Sequence, residues 1–160
     1  MSLAPRTIIA AFLALAIAVI GYVLFAQYVQ GYQPCELCLR ERLPWYVLLA
    51  VALWGVIRPS GVVLWLVGLA LLVAAGLGAH HAGVELHWWP GPQACTGTSG
   101  ANTVDELRRM LQATPVVRCD EIEWTFLGLS MADYNFLVSA AAAILALAAA
   151  WKLGGRAHRV

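Results

Sequence analysis

The sequence predicts an all-α integral membrane protein, a four-transmembrane-helix bundle with a long outer loop that contains a short amphipathic helix. Two compositional facts lead there. The 160 residues are 61% hydrophobic and only 12% charged, whereas a soluble domain is about half apolar and about a quarter charged. The mean hydropathy is +0.74. A third observation is that the apolar residues gather into stretches close to the ~20 residues a spanning helix needs. The length suits a single domain, residues 1–160. A net charge of +1 and the lack of any Lys/Arg run exclude a nucleic-acid binder.

The first span is placed at about 7–27. No charge falls between Thr7 and Pro34, and Ile8 to Phe25 is strongly apolar. Arg6 ahead of an apolar run also suits a secretion signal, but the run exceeds the 7–15 residues of a signal core. The second span, about 40–57, is short, because Leu43 to Ile57 is all that lies uncharged between Arg42 and Arg58. It reaches full length if the helix starts near Cys38 with Arg40 and Arg42 extended to the headgroups. Pro44 tolerates an early helical position best, so a start at Pro44 is the alternative. Trp45, Tyr46 and Trp54 suit interfacial belts.

The third span, about 61–82, carries His80 and His81 near its far end. The fourth, about 131–151, is preceded by Ser130, which with Asp133 resembles a capping box. Its run Ser139-Ala140-Ala141-Ala142-Ala143 offers small side chains for close helix packing. Arg6, Arg58, Lys152, Arg156 and Arg159 fall on the side of both termini, which makes that side cytoplasmic. The segments at about 28–39 and 83–130 then face outward, with Arg40 and Arg42 as exceptions to the charge rule.

This topology puts all four cysteines, Cys35, Cys38, Cys95 and Cys119, outside the cytoplasm, where thiols are oxidised. Four cysteines allow three pairings. A Cys35–Cys38 bridge closes almost no loop and adds little stability. A two-residue spacer is instead the spacing of reactive pairs. The competing readings are two structural disulfides, or zinc held by four thiolates; either makes this a metal-binding or purely structural membrane protein without turnover. Between Cys95 and Cys119, Thr96 to Gly100 reads as a linker. Thr103 to Leu111 reads as the amphipathic helix, with Thr103 and Glu106 as a capping box and Val104, Leu107, Met110 and Leu111 on one face. That helix either packs on the protein or lies on the membrane and carries one cysteine toward another.

Cys38 near the start of the second span gains from the helix dipole, which favours a thiolate. Arg42 lies one helical turn further on the same face. Its permanent charge would favour both a thiolate and an oxygen gaining electron density; its bland alternative is a headgroup anchor. His80 and His81 can simply hydrogen-bond at the interface. Trp88 and Trp89 read as interfacial anchors.

Taken together, Pro34-Cys35-x-x-Cys38 followed by Glu41-Arg42, the four spans, the outer cysteine pair and Trp124-Thr125-Phe126-Leu127-Gly128-Leu129 resemble the DsbB family of disulfide bond formation proteins. The resemblance implies a quinone-dependent protein thiol–disulfide oxidoreductase of the bacterial inner membrane. Such an enzyme reoxidises a DsbA-like periplasmic thiol oxidoreductase and passes the electrons to membrane quinone, ubiquinone or menaquinone. By position, the resemblance makes Cys95 the sulfur attacked by the partner, Cys119 the freed thiolate that attacks Cys35, and Cys38 the thiolate facing the quinone. Cys38, Arg42 and His81 become the quinone-binding residues, with no metal. The segment Trp88-Trp89-Pro90-Gly91-Pro92 looks like that of a subgroup of the family.

Overall fold

The computed structural model describes residues 4–92, 103–105, 108 and 117–157. The long helices are α1 (Pro5–Tyr28), α2 (Glu36–Ile57), α3 (Gly61–Glu85) and α4 (Met131–Ala157), with two short strands, β1 (Thr125–Phe126) and β2 (Leu129–Ser130), before α4. By length and composition α1, α3 and the Met131–Leu153 part of α4 are able to cross a membrane. α2 is as long as a span, at 22 residues, but carries Glu36, Arg40, Glu41 and Arg42 in its first two turns.

Each helix end has a local cause. Pro5 opens α1, where a missing N–H costs nothing because no partner exists for it. α2 starts at Glu36, ahead of the region around residue 40 expected from hydropathy, and runs through Pro44. The Cys35 sulfur does what an N-cap oxygen usually does, accepting the Cys38 N–H at 3.1 Å. The short turn after Ile57 ends at Ser60, whose Oγ accepts the Val63 N–H at 3.3 Å and starts α3 antiparallel to α2.

α3 ends in a Schellman closure. The Trp88 N–H donates to the Gly83 carbonyl at 2.9 Å and the His87 N–H to that of Val84 at 3.0 Å. This places His87 at φ 58°, a left-handed conformation usually left to glycine. The β1–β2 hairpin turns on Leu127 (φ 51°) and Gly128 (φ 82°), the two positive angles that match strand twist. Ser130 and Asp133 form the expected reciprocal cap, Ser130 N–H to Asp133 Oδ2 at 2.9 Å and Asp133 N–H to Ser130 Oγ at 3.1 Å.

The core runs along the middle of the bundle. Ile9, Phe12 and Ala16 of α1 meet Trp45, Leu48 and Ala52 of α2, Val67 and Leu71 of α3, and Ala143 and Ala146 of α4. The most extensive contact is between α3 and α4, where small residues let the backbones approach: a Cβ on Gly78 would stand 2.7 Å from the Phe136 backbone nitrogen. Ser139, Ala142 and Ala143 of α4 are buried. Ile17, Leu53, Leu69 and Ile144 point outward and are exposed, as a lipid-facing surface requires. α1 packs on α2 and more sparingly on α3, leaving a cavity between α1 and the N-terminal ends of α2 and α4.

Candidate functional site

The chain comes off α1 extended, and Cys35 keeps a β-region backbone (φ −70°, ψ 173°) before α2 begins. The cap geometry turns its sulfur inward and the three-residue offset brings Cys38 over it. The two Sγ atoms stand 2.6 Å apart and the two cysteines are free thiols. Oxidation therefore closes this pair almost in place, since a disulfide bond is about 2.05 Å. Two thiolates on one tetrahedral zinc would stand roughly 3.8 Å apart. That is wider than this pair, while Cys35, Cys38 and His81 keep their donor atoms within 4.8 Å of one another. The Cys35 thiol is pulled down from 9.0 to about 5, first by the hydrogen bond from the Cys38 thiol, then by His81 and the Cys38 N–H, against the opposing effect of burial. The helix end expected to favour Cys38 as thiolate is thus held by Cys35 itself.

Cys119 is buried and disulfide-bonded, so four thiolates cannot share a zinc here. It packs in one small cluster with Cys35, Leu37 and Val84, with Cys38 and Val117 at the edge. Arg118 and Asp120 beside it form an exposed ion pair, Nη2 to Oδ2 at 2.6 Å, which holds the Asp120 carboxyl below its usual range. Cys95 lies outside the described residues. So does the expected amphipathic helix Thr103–Leu111, except for residues 103–105 and 108.

The cavity, about 610 Å³, opens beside the dithiol, a size typical of small-molecule sites. Its walls are mostly apolar, including Val19 and Val23 of α1, Val138 of α4 and Trp124 of the segment before β1, with Glu41, Glu85, Arg118, Glu121 and Glu123 also lining it. Trp124 also belongs to an aromatic cluster with Tyr22, Phe126 and Tyr134. Cys35, Cys38, Arg42 and His81 all line the same cavity. Arg42 does not stretch out to headgroups; its Nη1 donates to Gln27 Oε1 of α1 at 2.6 Å. Arg40, by contrast, faces solvent and pairs with Glu36.

His81 is almost fully buried. Its Nδ1 is 2.6 Å from Glu41 Oε1 and its Nε2 is 3.6 Å from Cys35 Sγ, with Glu85 Oε1 3.9 Å away. The other Glu41 oxygen accepts from Asn135 Nδ2 of α4 at 2.7 Å. Sequence reading missed Gln27, Glu85 and Asn135, and took Glu41 only as a motif letter. The usable signal was an ionisable or amide side chain within or at the end of an apolar run, which is costly unless it has a partner. His80 stacks on Trp89, ring centres 5.8 Å apart, and Trp89 Nε1 donates to the His80 carbonyl at 2.9 Å. Among the described residues, His80, Trp88 and Trp89 are not part of the cavity wall.

Comparison with known proteins gives a consistent answer. Residues 5–149 match the family model described as disulfide bond formation protein DsbB. The chain is 32% identical over 162 residues to the disulfide bond formation protein B of Azoarcus sp. strain BH72, covering 96% of this chain and 95% of that one. It is 30% identical over 151 residues to the protein of the same name from Polaromonas sp. strain JS666, covering 89% of each. A third relative of that name, from Acidovorax sp. strain JS42, is 31% identical over 144 residues, covering 84% of this chain and 80% of the other.

Proposed function

Because this chain belongs to the DsbB family and is a membrane thiol oxidase of disulfide bond formation, we propose that it couples a periplasmic dithiol to membrane quinone through its two cysteine pairs. α2 completes a set of four spans with both termini in the cytoplasm of a bacterial inner membrane, and the cysteines face the periplasm. The reduced partner is a DsbA-like oxidoreductase. Its thiolate attacks Cys95 of a Cys95–Cys119 disulfide, and a mixed disulfide forms as Cys119 leaves. Cys119 then attacks Cys35 of the oxidised inner pair, and Cys38 departs as a thiolate at the cavity. The partner's second thiol displaces Cys95, and Cys95 recovers Cys119, which leaves the inner pair as a dithiol for quinone to reoxidise.

The observation that carries this reading is the packing of Cys119 against Cys35 in one buried cluster beside the cavity. This packing brings a cysteine of the segment before β1 into the same cluster as the pair at the start of α2. What supports a quinone ring here is a mostly apolar lining, the permanent cation of Arg42 fixed within it, and a sulfur pair at one side; Arg118 and four glutamates also reach the cavity. Quinone supplies a two-electron, two-proton acceptor there. Arg42, fixed by Gln27, would stabilise charge developing on a ring oxygen.

The test is turnover by purified protein. Oxidation of a reduced DsbA-like partner should require added quinone and should stop when Cys38 is replaced by serine. Replacing Arg42 with methionine should raise the quinone concentration needed for half-maximal rate. Full turnover without quinone, or in Cys38→Ser, would overturn the reading.

A further inference from the structure

Behind the dithiol a chain of hydrogen bonds runs through the bundle, and its polarity can be read from one end. The Trp45 indole N–H can only donate, and it donates to Asn135 Oδ1 at 2.9 Å. The Ser139 hydroxyl donates to that same oxygen at 3.2 Å. The Asn135 amide nitrogen must therefore turn the other way, and it donates to Glu41 Oε2 at 2.7 Å. A carboxylate accepting there also accepts at Oε1 from His81 Nδ1–H, 2.6 Å away. That leaves Nε2 as the ring nitrogen with a free lone pair, and it faces the Cys35 sulfur at 3.6 Å. Trp45, Glu41, His81 and Ser139 are all buried. Ionisable groups enclosed in an apolar bundle are expensive and are kept for function by default.

We propose that His81 is the proton acceptor of the Cys35 thiol, with Glu41 and Asn135 as positioning residues that fix its tautomer and aim Nε2 at the sulfur. This rests on the reading that the Cys35–Cys38 pair is oxidised at the cavity. In the dithiol state the Cys35 proton sits on His81 Nε2, giving a thiolate beside an imidazolium, while Cys38 keeps its own proton. On oxidation the Cys35–Cys38 S–S bond forms and the Cys38 S–H bond breaks. Two electrons pass to quinone, with one proton from Cys38 and one from His81. Disulfide, neutral His81 and hydroquinone result, so atoms and electrons balance. The groups facing His81 are Cys35 and Cys38 at the start of α2, Glu41 one turn further along it, Glu85 on α3 itself and Asn135 on α4; Asp133 of α4 acts on Glu85 from behind.

The first experiment uses the full-length reduced protein without quinone. Iodoacetamide labelling of Cys35, read by mass spectrometry, gives its reactivity against pH. In wild type the rate should be flat around neutrality. In His81→Gln it should fall about tenfold at pH 7 and climb with pH, because the contacts from Cys38 that also favour the thiolate remain. Glu41→Gln should fall between these and Glu41→Asp should restore part of the loss. Folded variants that keep the wild-type profile overturn the proposal. The second experiment needs no variant. Nitrogen NMR of labelled histidine in wild type should show His81 protonated in the dithiol form and neutral in the disulfide form at pH 7, and an identical ring in both forms also overturns it. Wild-type protein that does not reduce a short-tailed ubiquinone would instead sink the coupling to quinone, whatever the labelling and NMR show.

Discussion

Two glycines on α3 make a matched pair with opposite expected signs. A Cβ added at Gly78 would lie 2.7 Å from the backbone nitrogen of Phe136, 3.1 Å from its Cα and 3.1 Å from Asn135 Nδ2. Two of these are backbone atoms of α4, so no side chain can swing aside. Ordinary contact begins at 3.4 Å, and α4 must therefore retreat by about 0.7 Å. Overpacking of this kind costs ~1–3 kcal/mol. A shift of that size also stretches the 2.7 Å bond from Asn135 to Glu41, and a buried interhelical bond in a membrane bundle is worth ~0.6–1.7 kcal/mol. Gly78→Ala should thus lose about 2–4 kcal/mol. Gly76, two residues away, has nothing within 4 Å of its added Cβ, so Gly76→Ala should gain up to ~1 kcal/mol from helix propensity alone. Reversible unfolding by SDS in mixed micelles measures both. Equal shifts for the two variants, or a Gly78→Ala protein as stable as wild type, would refute the close α3–α4 approach as the cause.

Further outcomes follow from the caps and from the dithiol. The thiolate absorbance of the fully reduced protein, taken as a difference from Cys35→Ala, should rise as pH passes about 5, because the group is depressed and loses its proton early; a midpoint near the usual 9.0 would contradict the geometry of the pair. Asp133→Ala removes one half of the Ser130–Asp133 cap and should cost ~1 kcal/mol by thermal or SDS unfolding, with no change if α4 starts elsewhere. His87→Gly relieves the left-handed backbone at φ 58° and should stabilise by ~1 kcal/mol; a loss would mean that the imidazole itself holds the end of α3.

Much of this was open to sequence reading, for identifiable reasons. Hydropathy marks α1, α3 and α4 because lipid contact demands apolar side chains on almost every face. The Ser130–Asp133 cap is local, three residues apart, and so is the relation of Arg42 to Cys38. What stayed hidden depends on distant or unusual partners. Asn135 and Glu41 are 94 residues apart and no spacing rule joins them. The start of α2 was obscured because a sulfur, rather than a hydroxyl or carboxylate, serves as its cap, and because Pro44 sits inside the helix. The hairpin turn at Leu127-Gly128 lacks the Asn or Asp that normally announces one. Four-thiolate zinc was a fair alternative from composition, and the disulfide at Cys119 removes it.

One consequence of that sulfur cap concerns how oxidation is felt beyond the sulfurs themselves. An anionic sulfur is a strong acceptor for the amide of Cys38, and a sulfur tied into a bridge is a weak one. On the proposed oxidation and reduction of the pair, that contact at the first coil of α2 would weaken and re-form. Glu41 and Arg42 lie on the next coil, so the charge beside the cavity would follow the electron count of the cysteines that open the helix.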